Sequence, residues 1–197
     1  MSGAEGAHMV IVALAISRAH KGKRRMLVNR SNLKQIINME GMSCFGCGAN
    51  NPAGLHMTFH TDEQRLYSFV TASPMMIGWG ETVHGGILTT MLDEIMGWST
   101  IYLLGKITVT KSITVEFRKP VQVGDALTVV GTVGEDAGRQ ITMNSEIYCS
   151  KKGLCVRAEG TFIALSPDTA VRMGVMSSDY MERFLPVLRQ REVAEKP

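Results

Sequence analysis

The chain has 197 residues, 45% of them hydrophobic and 20% charged, enough for one well-cored domain with flanking segments. Its formal charge of +3, from 21 basic and 18 acidic residues, makes no nucleic-acid footprint, and part of the excess is local, in "HKGKRR" at residues 20–25. Four cysteines, Cys44, Cys47, Cys149 and Cys155, are too few for a disulfide scaffold in a chain of this length, so a reducing, cytoplasmic setting is expected.

Residues 1–41 read as an N-terminal extension. The apolar run "MVIVALAI" at residues 9–16 falls far short of the roughly 20 residues that span a bilayer. Its positive charge follows rather than precedes it, unlike a secretory signal, so neither a membrane span nor export is expected. "SNLKQIINMEG", starting at Ser31, predicts a short helix behind a serine cap. Next comes "CFGCG", with the C-x-x-C spacing of zinc and redox sites. A structural zinc site takes four ligands, however, and no second close pair is in sight, because five residues separate Cys149 from Cys155. The expectation is therefore no metal and a plain turn before the first strand.

"GLHMTFH" and "RLYSFVTAS", separated by the polar "TDEQ", predict a hairpin. A Gly-flanked loop, "MIGWGETVHGG", leads into a helical segment that ends near Gly105, placed where a C-cap belongs. The period then changes to that of strands in "ITVTKSITVEFRKP", "DALTVVGTV", "RQITMNSEIYCS" and "LCVRAEGTFIAL", with breaks at "VGD", "GEDAGR" and "SKKG" that predict an antiparallel meander. One long apolar helix among such strands must pack on a sheet face, which predicts an α+β domain over residues 42–166 with a curved antiparallel sheet wrapped around the helix. Residues 167–197 predict a peripheral amphipathic helix over "YMERFLPVLRQ", made irregular by Pro186.

That helix carries two adjacent acids inside "TVHGGILTTMLDEIMGW", residues 82–98. At about 100° per residue from Ile87, the residues Leu88, Met91, Leu92, Ile95, Met96, Trp98, Tyr102 and Leu103 fall in one arc that faces the sheet. Asp93 falls at about 240°, beside Thr89, Thr90, Gly97 and Thr100, and Glu94 at about 340°, on the edge of the apolar arc. The face of Asp93 is lined by small residues, so another backbone or a ligand can approach it closely. No Lys or Arg stands three or four positions away to pair with it. The helix opens on "HGG", where unpaired N–H groups and the helix dipole favour an oxygen with developing negative charge.

"VHGGILTTMLDE", with an acid seven positions after the second glycine, resembles the helix signature of hotdog-fold acyl-CoA thioesterases, most closely the phenylacetate-pathway and 4-hydroxybenzoyl-CoA thioesterase type. The resemblance runs from about Cys44 to Leu165 through "CFGCGANNPAGL" and "ITVEFRKPVQVGD". It implies the hotdog fold and hydrolysis of an acyl-CoA thioester to a free acid and CoA, with no metal and no redox cofactor. It places the chemical acid at Asp93, as nucleophile or as general base, with the Gly85 N–H polarising the thioester carbonyl, Gly86 beside it, and His84 as an orienting residue. It also implies a homodimer or homotetramer in which each site takes the helix start from one chain and the acid from the other, so that Thr89, Gly97 and Thr100 face the subunit interface.

By the same analogy Arg118, Lys119 and Arg139, at strand ends, hold the phosphate-bearing part of coenzyme A. Thr110, Ser112 and Thr114 alternate on one face of one strand, where one of the three is expected to orient the attacking water. Two alternatives stand beside hydrolysis. One is a hotdog-fold dehydratase or hydratase, which needs a proton-transferring histidine next to the acid; the other is an acyl-CoA-binding sensor without catalysis.

Overall fold

The computed structural model describes residue 28 and residues 30–191. The apolar run at 9–16 and the basic run at 20–25 lie outside the described residues. Within them, no helix is long and apolar enough to cross a membrane.

Among the described residues, seven antiparallel strands form one sheet: β1 Lys34–Gln35, β2 His60–Thr61, β3 Leu66–Thr71, β4 Ile107–Phe117, β5 Ala126–Ala137, β6 Gln140–Cys149 and β7 Gly153–Leu165. Their spatial order is β1-β2-β3-β5-β6-β7-β4. The last four strands are therefore not a simple meander, since β4 pairs with β7 and lies at the sheet edge.

The long helix α1, Gly85–Leu104, packs on one face of this sheet, which is the α+β arrangement expected. His84 caps its start in an extended conformation, and its end closes at Gly105, whose φ of 62° is left-handed. There the Gly105 N–H donates to Ile101 O and the Lys106 N–H to Thr100 O, both at 3.1 Å, which satisfies the last carbonyls. Leu88, Met91, Leu92, Ile95, Met96, Trp98 and Tyr102 are buried against the sheet, as the helical period predicts.

Two expectations near the N-terminus are corrected. The short helix from Ser31 is absent: a 3-10 turn ends at Asn32, and Lys34–Gln35 pair with β2 as the edge strand. The hairpin is also shorter than the β-forming run before it, because residues 55–59 hydrogen-bond elsewhere. Leu55 N–H donates to Phe45 O and Met57 N–H to Gly46 O, which ties this segment to the cysteine turn rather than to β3. After β7 come α2 Pro167–Arg172 and α3 Ser178–Leu188, the second with Pro186 inside it and Met181, Phe184 and Val187 buried.

Candidate active site

Asp93 meets β4, where Thr110 Oγ1 donates to its Oδ1 at 2.8 Å. Burial pushes the Asp93 carboxyl above its ordinary range, and the Thr110 hydrogen bond only partly offsets that. A β-bulge aims the threonine. Thr110 pairs with Phe162 and Ser112 with Thr161, so Lys111 is an extra residue in β4. Paired residues share a sheet face, and Phe162 is buried. Thr110 therefore faces α1, as do Ile113, Val115 and Phe117 beyond the bulge, whereas Ser112 and Thr114 face the other way. The expectation that the three hydroxyls share one face is corrected: only Thr110 joins Asp93.

At the start of α1 the His84 Nδ1 accepts the Gly86 N–H at 2.9 Å, and the His84 carbonyl accepts from Ile87 at 3.0 Å and Leu88 at 3.3 Å. Among the described residues, the Gly85 N–H is the donor left over in this first turn. His84 thus orients the turn, and Gly86 is spoken for. Gly85 opens on a cleft of about 310 Å³ whose walls include Thr82, Leu88, Phe117, Arg118 and Lys119. Phe117 was not singled out from the sequence, yet a side chain at Gly85 would bring its Cβ to 3.3 Å from the Phe117 Cζ. Arg118 and Lys119 reach the same cleft. Arg139 does not: it sits in the β5–β6 turn, where its carbonyl accepts from Ala164 N–H, near the start of β4. The length of β4, roughly 36 Å at 3.3 Å per residue, separates it from Arg118 within one chain.

The proposed small face of the helix is only partly free. Thr100 is buried, its Oγ1 2.8 Å from the Thr108 Oγ1 of β4, so it is covered by its own chain and not available to a neighbour. At Gly97, by contrast, an added Cβ would meet nothing within 4 Å.

Glu94, on the edge of the apolar arc, meets a different set of residues. Cys44 Sγ lies 3.7 Å from both of its carboxylate oxygens, and Trp98 Nε1 donates to Oε1 at 3.2 Å while also lying 3.4 Å from Cys47 Sγ. Burial pushes Glu94 up to about 7. The sequence pattern missed this cluster because fifty residues separate its two parts; the only local signal was the i,i+4 spacing of Glu94 and Trp98.

The sequence pattern of the thioesterase superfamily matches residues 80–156, a segment that holds His84, Gly85, Asp93 and Thr110. That segment resembles the superfamily and makes up less than half of the chain. It is 26% identical over 112 residues to the acyl-coenzyme A thioesterase THEM4 of Xenopus laevis, covering 56% of this chain and 50% of the relative. To the THEM4 of Bos taurus it is 26% identical over 110 residues, 55% of this chain and 45% of the relative. The chain thus spans about half the length of the curated relatives it matches. Among solved structures it is similar to the E. coli PaaI protein from the phenylacetic acid degradation operon, with a TM-score of 0.52 and 18% identity over 57% of this chain and 81% of that one. A Streptococcus mutans protein solved with bound acetyl CoA gives 0.51 and 16% over 72% and 94%. At such identities the likeness shows the fold, which is the hotdog: an antiparallel sheet around a long central helix.

Proposed function

We propose that this domain hydrolyses an acyl-CoA thioester to a free acid and CoA, with Asp93 as the acid that acts on the thioester carbon, directly or through a water. The observation that carries the reading is the Asp93–Thr110 pair: Thr110 steers one carboxylate oxygen, while burial raises the basicity of the group. The Gly85 N–H, at the positive end of the helix dipole, polarises the carbonyl oxygen as it becomes an oxyanion. Arg118 and Lys119 beside the same cleft take the phosphates of CoA. The carboxyl form of Asp93 cannot accept a proton, so activity falls as pH drops through its raised pKa.

Eight residues of helix put about 12 Å between Gly85 and Asp93 along the axis, too far for both to touch one thioester in the same chain. Two chains resolve this. β4 is an edge strand, and antiparallel pairing with a second β4 about a two-fold between residues 113 and 114 would set Thr110 opposite Phe117 of the partner subunit. Asp93 of one chain then faces the helix start of the other. A hydratase is less well supported, since the His84 Nδ1 is used to cap the helix, accepting from the Gly86 N–H. Thiol release from short, long and aromatic acyl-CoAs tests the proposal: release from at least one supports it, and tight binding without release from any would identify a sensor instead.

A further inference from the structure

We propose that Cys44, Cys47 and Glu94 form a binding site for a thiophilic divalent metal ion, zinc by its chemistry, that clamps the cysteine turn to α1. Each residue offers one donor atom, and these atoms all lie within 4.8 Å of one another. Zinc bound at about 2.3 Å to sulfur and 2.0–2.2 Å to carboxylate oxygen needs only a small contraction from that spacing. Two thiolates select a borderline-soft ion, and the carboxylate favours zinc over ions that prefer sulfur alone. Three protein ligands leave a fourth position for water, and Cys149 and Cys155, on other strands, are not needed to complete the set.

Two further features fit a cation. First, the turn is shaped around the Cys44 sulfur, which hydrogen-bonds with the Cys47 side chain and with the backbone N–H groups of Cys47 and Gly46. Second, the turn closes directly on the carboxylate. A Cβ at Gly46 would lie 2.5 Å from Glu94 Cδ, so a side chain there would displace the carboxylate. Trp98 Nε1–H donates to Glu94, the kind of outer contact that orients a metal-binding carboxylate. Without an ion, this cluster sets a half-buried carboxyl beside one half-buried and one buried thiol; binding exchanges their protons for one divalent charge and releases those protons to solvent. This departs from the expectation of no metal, which rested on the lack of a second cysteine pair; the third ligand comes from the helix.

The inference stands independently of thioester hydrolysis, and its test does not read activity. The reduced 197-residue chain, stripped of metal, is titrated with cobalt(II) and followed by absorption, and protein purified without added metal is assayed for zinc. The proposal expects a one-to-one end point with a thiolate-to-cobalt charge-transfer band and the visible bands of tetrahedral cobalt. Cys149→Ser and Cys155→Ser retain the bands, Cys47→Ser and Glu94→Gln lose or alter them, and Trp98→Phe weakens binding by about 10–100-fold. Absence of any charge-transfer band from the folded, reduced wild type, together with no retained zinc, would overturn it. So would bands identical in folded Glu94→Gln, or wild-type protein recovered instead as a Cys44–Cys47 disulfide that takes up no cobalt after reduction.

Discussion

Asp93 and Glu94 are consecutive residues on one helix, and the two sides of α1 they serve are assembled from different parts of the chain. On the Asp93 side everything is nearby in sequence: the helix start, β4 and the residues just after β4, all around the segment that matches the thioesterase superfamily. On the Glu94 side the helix meets a turn fifty residues upstream. A rotation of about 100° separates these settings. A carboxylate with a threonine partner and a small-residue surround keeps room for a substrate, whereas one enclosed by two thiols, an indole and a closed loop is committed to holding structure. The difference shows that an acid's sequence neighbour says little about its chemistry; the elements packed against it decide.

The sharpest way to break this comparison is to neutralise each acid in turn. Asp93→Asn is expected to lower the turnover number by at least about 10², within the range for loss of a general base, and Glu94→Gln to cost much less. The reverse order in a thiol-release assay would exchange the two roles. Gly85→Pro comes next. Proline suits the first helical position, and the extended His84 before it is compatible, so the change deletes one N–H donor with little backbone cost. A loss of about 10²–10³ is expected, and near-normal turnover in the folded variant would remove Gly85 from the site.

Thr110→Ala sharpens the Asp93 side at smaller scale. A hydrogen bond to a charged group is worth roughly 1.5 kcal/mol, or about tenfold in rate. The sign of its pH effect also follows: the hydroxyl stabilises the carboxylate form, so without it Asp93 holds its proton to higher pH and the acid limb of kcat/KM moves up. An unmoved limb would mean that another group titrates there. On the Glu94 side, Gly46→Ala forces a Cβ onto the carboxylate and is expected to cost about 1–3 kcal/mol of stability in urea unfolding, with a smaller effect on turnover than Asp93→Asn. An unchanged midpoint would show that the turn is not closed on Glu94.

Much of the Asp93 side was legible in the sequence because its rules are local. The helical period separated Asp93 from Glu94, His-Gly-Gly marked the helix start and Gly105 its end. The bulge at Lys111 was not legible, since no glycine or proline marks it, and it alone sends Ser112 and Thr114 to the wrong face. Strand partners were illegible for a similar reason: turn chemistry joins β5 to β6 and β6 to β7, but the pairing of β4 with β7 is long-range. Thr100 was misplaced because helix azimuth cannot tell a neighbouring strand from a neighbouring subunit. The cysteine turn looked bland until the helix supplied its third polar group.

In the proposed dimer one site is built from the helix start of one chain and Asp93 of another, and mixing two inactive variants distinguishes this from a site within one chain. Asp93→Asn and Gly85→Pro chains are combined in equal amounts under conditions where subunit exchange is demonstrated, and acyl-CoA hydrolysis is measured. Half of the dimers are then mixed and each holds one intact site, so about a quarter of wild-type sites should be recovered by symmetry counting. Activity that stays at the level of the separate variants despite complete exchange would contradict the account and place the whole site within a single chain.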